Sequence, residues 1–350
     1  MIITIKNRDG AETLNVLNNY EGLRFETDRI GGPTTAEFAV KRNVLNAQAD
    51  LQVYNQIIIE EGASTPWEGY IYTPGKNSPA TLSVPCVGWS GLFDEVPVTA
   101  DQPSQMMSTF INAMLGNGRI SPFLSAGVIN LGDYNAPPAV TDIPPGKFYS
   151  DLLEGYNKWN DWRYYTDGKK FYFNAPQTVA KWIVLAKDAP GFQISDSPAN
   201  FWNEVVYKYT DGGGDHYSSV SDSDSIALYK RTVTKILEIP GVVSGAPQAA
   251  VYATVYLNRG KNMTVMGQIV TSTIYDATTH NPAPLWKVKG GDPIKVQNFL
   301  APVGYVGNVI DEITTFEIKT TQYDHKAKNI TITPKDWDSG LEPTFARLGD

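Results

Sequence analysis

Four aspartates and a histidine crowd one short stretch of the chain: Asp211, Asp215, His216, Asp222 and Asp224, within NEVVYKYTDGGGDHYSSVSDSDSIALYKR, Asn203 to Arg231. Carboxylate oxygens are the hard ligands that calcium takes. Their spacing matches no EF-hand loop, because both the glycine and the closing glutamate of that motif are missing. Asp and Gly are also what a long solvated turn selects, since Asp bonds its own backbone and Gly accepts positive φ. The stretch opens as an alternating strand, with Val205, Tyr207 and Tyr209 on one face, and breaks at Gly212–Gly214. It is read as the seam where one structural unit leaves another, with calcium at residues 211–224 left open.

Little else in the sequence supports chemistry. The three histidines, His216, His280 and His325, all stand among turn residues, and Cys86 lies alone in an expected strand, where it packs as a small hydrophobe. One cysteine permits no intrachain disulfide and no cysteine zinc site. The chain contains no His-Glu-x-x-His helix, Walker loop, Gly-x-Ser-x-Gly elbow or dinucleotide fingerprint. A pair of carboxylates could serve a glycosidase, but nothing singles out a pair among the 37 acidic residues. No catalytic, cofactor-binding or metal-binding residue is therefore assigned, and no cofactor and no enzyme activity are expected.

Composition narrows the classes further. With 350 residues, 42% hydrophobic and 19% charged, the chain has enough apolar material for two or three packed domains. Its net charge of −8 argues against gripping nucleic acid through phosphates. No apolar run approaches the length of a membrane span and no signal-like core opens the chain, so a soluble protein made in the cytoplasm is expected.

The elements form three regimes. Residues 1–95 carry short runs such as AEFAV and LQVYNQIII, bounded by Gly, Pro, Asn and Asp at hairpin spacing, and read as a small barrel or sandwich. Residues 96–198 read as α+β. One helix is capped at Thr99 or Asp101, has Pro103 in its first turn and buries Met106, Met107, Phe110, Ile111, Met114 and Leu115. A second uses Phe148, Tyr149, Leu152, Leu153, Tyr156 and Trp159, and the aromatic strands that follow pair across Asp167-Gly168. A helix is expected over GAPQAAVYATVYLNRGK, with Ala249, Ala250, Ala253, Tyr256 and Leu257 on one side, before β character returns. Gly290 and Gly291 form a tight turn delivering a strand. The end of the chain reads as a loose tail.

This order resembles the tail-tip hub proteins of tailed bacteriophages, including the central hub of contractile-tail baseplates. Trp67-Glu68-Gly69-Tyr70-Ile71 is similar to the family's G-x-I strand and precedes Cys86-x-Gly88-Trp89-x-x-Leu92. Asn203-Glu204-Val205-Val206-x-x-Tyr209 resembles its return strand, and Pro284-Leu285 through Gly291-Asp292-x-Ile294 its P-L-x-V-x-x-G-D-x-I entry to the last strands. Ser225-Ile226-x-x-Tyr229 resembles an S-I-x-x-Y-G element, with Lys230 where glycine is usual.

The resemblance implies an α+β, mostly β chain with two tail-tube-like β-barrel domains. The first is 1–95. The second is discontinuous, with 199–210 pairing in one sheet with 263–335, and Val206 on an outer edge. An α+β domain (96–198) lies between them, a helical or loop unit (211–262) is inserted in the second, and 336–350 is a tail. The two β domains are expected to be structural copies. The implied function is a homotrimeric ring in the virion tail tip that continues the tail tube and lets DNA pass as cargo. Its implied partners are a distal tail protein, a tape measure protein and central fibre or spike proteins. A distal tail adaptor and, from another class, a carbohydrate-active enzyme or binding module remain as alternatives.

Overall fold

The structure is a computed structural model of the chain, described for residues 1–41, 50–73, 81–98, 106–129, 148–157, 162–198, 200–243, 245–262, 264–299 and 312–335. The first unit contains β1 (Ile2–Lys6), β2 (Thr13–Leu17), β3 (Glu21–Asp28), β4 (Gly32–Lys41), β5 (Gln56–Glu61), β6 (Ser64–Ile71) and β7 (Thr81–Gly88). They pair antiparallel in the order β2-β1-β5-β6-β7-β4-β3. The alternation that marks these runs becomes an inner face of Ile3, Ile5, Leu23, Phe25, Phe38 and Ile57, all buried. Leu17 and Glu21 belong to strands at opposite ends of that order, yet only residues 18–20 join them. Flat, the two end strands would lie ~29 Å apart. Four peptide steps reach only ~14 Å, so the sheet must roll up.

The middle unit holds α1 (Leu92–Glu95), α2 (Met107–Leu115), β8 (Ser125–Ile129), α3 (Tyr149–Asn157), β9 (Arg163–Asp167) and β10 (Lys170–Asn174). The expected stripe on α2 is the buried one, with Met107, Phe110, Ile111 and Met114 at or below 1% exposure. Leu152 and Leu153 of α3 join them against Phe171 and Phe173, and Phe93 meets Phe171 edge-on at 5.4 Å. Gly168 turns the β9–β10 hairpin at φ +57°. The expected cap at Thr99 or Asp101, Pro103 and Trp159 lie outside the described residues.

The chain then lays down β11 (Trp182–Leu185) and β12 (Gly191–Ser197). It departs through β13 (Glu204–Asp211), β14 (Gly214–Ser221), α4 (Ser223–Tyr229), β15 (Thr234–Val242) and α5 (Ala246–Gly260). It returns as β16 (Thr264–Thr271), β17 (Ile274–Asp276), β18 (Pro282–Ala283), β19 (Pro293–Phe299), β20 (Glu312–Asp324) and β21 (Asn329–Pro334). Two expectations fail here. Residues 204–211 do not pair with 263–335: β13 is the central strand of a separate sheet, β14-β13-β15, so Val206 is not on an edge. The strand beside β16 is instead β12, from the stretch assigned to the α+β unit, with Gly191↔Val270 through Ser197↔Thr264 in register. The reason is local. A two-residue Gly turn after Asp211 folds the chain straight back, which supplies β13 with a neighbour before any distant strand can compete. Residues 211–262 are accordingly an α/β layer and not a helical loop. Val205, Tyr207 and Tyr209 pack with Leu237, Ile239 and the Ala249–Ala253–Leu257 stripe of α5.

The second β unit has the order β18-β17-β11-β19-β20-β21-β16-β12. Without its outer β17–β18 hairpin, and without β2 of the first unit, the two orders match. β11, β19, β20, β21, β16 and β12 stand where β1, β5, β6, β7, β4 and β3 stand. One direction differs: β1 runs antiparallel to β5, whereas β11 runs parallel to β19. Even a tight bend recurs. Ile318 exchanges bonds with Gly291 and Asp292, as Ile71 does with Tyr54 and Asn55, and Gly291 and Tyr54 both have positive φ, +83° and +70°.

The two units are joined through their sheets. β19 covers one edge of β20 as far as Glu317, and β3 takes over, with Arg24–Asp28 paired to Asp324–Thr320. Thr27 and Thr321 share a buried hydroxyl bond of 2.7 Å. Arg29 Nε lies 2.9 Å from Glu317 Oε1 as an ion pair not aligned as a hydrogen bond, and Lys335 Nζ donates to Glu317 Oε2 at 3.0 Å. Gly290 passes so close that a Cβ would sit 2.3 Å from the carbonyl carbon of Asp28.

Candidate interaction surfaces

The acidic stretch resolves into three local devices. Asp211 closes the β13–β14 turn, accepting from the Gly213 N–H at 2.7 Å and contacting His216 Nε2 at 2.9 Å, and the His216 ring stacks on Tyr209. That backbone bond first, and then His216, hold the Asp211 carboxyl below its usual range. Asp215 accepts from Thr210 Oγ1 at 2.8 Å and pairs with Lys208 at 2.9 Å. Asp222 caps α4 by accepting from the Ser225 N–H at 2.8 Å and pairs with Lys261 at 3.0 Å. Asp224 lies exposed in the first turn of α4, where a carboxylate suits the helix dipole. The four carboxylates are thus spread along a hairpin and a helix start. Among the described residues, no group of three or more His, Cys, Asp or Glu side chains is arranged to hold a metal ion.

The other candidates are dispersed. Cys86 is buried, and burial pushes its thiol well above the ordinary range. His280 sits in a turn at φ +59°, and His325 beside Tyr20 and Tyr323, its basicity lowered mainly by burial and then by Lys328. Asn203, first residue of the return-strand motif, is fully buried. It accepts from the Val233 N–H and donates to Arg231 O, both at 2.8 Å, and so ties the start of β13 to the start of β15. Asp292 of the G-D motif is 4% exposed and accepts from Trp182 Nε1 at 2.8 Å and from Lys181 Nζ at 3.2 Å, fixing β11 to β19. Lys230, where the motif has glycine, is left-handed at φ +51° and ends α4 as glycine would.

Where the three units meet, a cleft of about 510 Å³ is lined by Glu68, Asp167, Trp182, Trp286 and Lys289. Burial raises the Glu68 carboxyl, while Asp167 is occupied by Lys289 at 2.7 Å. Large apolar side chains are exposed elsewhere, on the open face of the inserted sheet, with Tyr217 71% and Ile236 80% exposed, and at Leu228 of α4, 70% exposed. Sequence reasoning missed the Arg29–Glu317–Lys335 joint because its members are distant in the chain. Only the position of Arg29 and Lys335 just past strand ends could have signalled it. Among the described residues no helix is long and apolar enough to cross a membrane.

No family model matches the chain. A curated relative, the serine protease EatA of Escherichia coli O78:H11, is 29% identical over 154 residues, 41% of this chain, and the chain spans only 11% of that protein's length. Solved structures cover nearly all of it. The prophage tail protein gp18 of Listeria monocytogenes EGD-e is similar with a TM-score of 0.64 at 8% identity, over 100% of this chain and 98% of that one. A tail protein of Neisseria meningitidis MC58 gives 0.62 at 13% identity, over 95% and 97%. At such identities the likeness is one of backbone architecture. This chain has the mostly β, α+β fold of phage and prophage tail proteins.

Proposed function

We propose that the protein is a structural hub of a phage tail tip or baseplate. In this reading it resides in the virion, and three copies form a ring that continues the tail tube and lets DNA through. The observation that carries it is the repeated strand order within one chain of tail-protein fold. A chain with two alike β units presents two alike surfaces, so a threefold ring of it can meet a sixfold tube. In this reading the two β units act as tube-like barrels, and a distal tail protein, a tape measure protein and a central fibre or spike are the partners. The role is structural and not enzymatic: the acidic groups serve turns, caps and ion pairs. Native mass measurement tests the hub. Three copies are expected. Six would favour a distal tail adaptor, and a monomer at every concentration overturns both. Release of reducing sugar from host-wall preparations would instead turn attention to Glu68 and Asp167.

A further inference from the structure

The cleft where the three units meet has the size of a small-molecule pocket, about 510 Å³. The first unit lines it with Glu68 of β6, and the middle unit with the β9–β10 turn at Asp167 and Gly168. A Cβ on Gly168 would lie 3.2 Å from Glu68 Oε2, so the turn stands hard against β6. The second β unit adds Lys181 and Trp182 at the start of β11, and Trp286 and Lys287 of the 3-10 turn Leu285–Lys287. Lys181, Lys287 and Lys289 thus line the cleft beside two carboxylates, in a chain whose net charge is −8. Lys289 is held by Asp167 at 2.7 Å, and Lys181 by the buried Asp292 at 3.2 Å. Lys287 has no carboxylate partner among the described residues. It is exposed, with Nζ 5.6 Å from the centre of the Trp286 ring.

From this we infer that the cleft binds an acidic oligosaccharide, with a carboxylate on Lys287 and a sugar ring against Trp286. A ligand anion can take Lys287 without breaking an ion pair, and hydrogen bonds between charged groups are the stronger kind. Trp286 is half-buried with the core behind it, and the negative face of an aromatic ring attracts the C–H side of a sugar. Sugar hydroxyls both donate and accept, so they suit walls where Glu68 accepts and Lys181, its side chain 47% exposed, donates. A polyphosphate fits less well, because Glu68 and Asp167 would repel its denser charge at close range. A peptide strand finds only a broken ladder. β11 is paired on both edges, and the part of β6 that β7 does not reach carries Pro66, which has no N–H.

Titration calorimetry of the full chain tests it, with trigalacturonate and sialyllactose as acidic sugars, maltotriose as a neutral one and triglutamate as an acidic peptide. At least one acidic sugar is expected to bind about tenfold or more tightly than maltotriose and triglutamate, the effect of one charged hydrogen bond. Lys287→Glu should weaken that binding about tenfold or more, and Lys287→Arg should keep it. Both variants should fold, since Lys287 is exposed and holds no ion pair. Lys326→Glu makes the same change of charge in the β20–β21 turn, outside the cleft lining, and should leave binding unaltered. Failure of both acidic sugars to bind overturns the inference, as does binding that Lys287→Glu leaves intact or that Lys326→Glu weakens equally. Triglutamate binding as tightly would replace the sugar with an acidic peptide. None of these results bears on copy number, so the ring reading is tested separately.

Discussion

The two β units share a strand order and differ in how their edges are used. In the first, β3 keeps β4 on one side and pairs with β20 on the other, so that edge is spent inside the chain. In the second, β12 occupies the same place with one described partner strand. The first strands differ as well, antiparallel in one and parallel in the other, because β1 turns back through β2 while β11 enters from the middle unit. Position in a sheet is therefore kept while direction and edge partners vary. A repeated scaffold fixes which surfaces exist, and local chain routing decides which remain available.

The largest way to break this comparison is to remove the joint that makes the first unit different. Glu317→Ala strips the buried Arg29 and the part-buried Lys335 of a shared carboxylate. A loss of about 3–5 kcal/mol is expected, as for other broken buried pairs, read from denaturant unfolding. An unchanged midpoint would mean that the joint holds nothing.

The recurring bend gives a sharper test. Gly291 turns at φ +83° with its would-be Cβ 2.2 Å from Arg163 Nη1, whereas Tyr54 makes the same bend at φ +70° beside Tyr70. Gly291→Ala should cost about 1–3 kcal/mol through left-handed strain and crowding. Tyr54→Gly should change stability by less than about 0.5 kcal/mol, relief of strain offsetting the lost ring contact. Equal effects at the two sites would undo their equivalence.

Asp28 ends β3 where Ser197 ends β12, and burial pushes its carboxyl up to about 6, against the pull of the Ile30 N–H and Lys319. A carboxyl whose folded pKa exceeds its unfolded value, ~3.9, binds its proton more tightly when folded. It therefore costs stability as pH rises from about 4 to 6, and that cost is complete above 6. Asp28→Asn should stabilise by about 1–2 kcal/mol at pH 7.5, with the gain gone near pH 4. Thermal melts of both proteins across this range would show it, and a pH-independent difference would exclude titration of Asp28 as the cause.

The smallest effect lies outside both units. Lys230 closes α4 at φ +51°, and Lys230→Gly should add about 0.5–1 kcal/mol. Melting temperature is the measurement, and a loss would indicate that the Lys230 side chain contributes more than the strain costs.

How much of this was legible depended on distance along the chain. Helix faces and the Asp167-Gly168 hairpin were readable because their partners lie within a few residues. Thr27 and Thr321, which meet across the joint, are 294 residues apart, and nothing local in either run names the other. Val205, Tyr207 and Tyr209 alternate as they would in any sheet, so the pattern gave the strand but not its neighbours. β11 is only Trp182–Leu185, too short for periodicity to separate it from the unit before it. The acidic residues were found but misplaced, since a cap, a turn and an ion pair share one composition.

The inserted layer enters after Ser197 and leaves before Thr264, and those two residues are partners in the β12–β16 ladder. Its two ends therefore lie one strand spacing apart. For an unfolded insert, bringing β12 and β16 together means closing a long and entropically expensive loop. Once the insert has folded, its ends arrive already adjacent, and a distant pairing becomes in effect a hairpin. The second β unit thus depends for its timing on a layer that contributes nothing to its sheet.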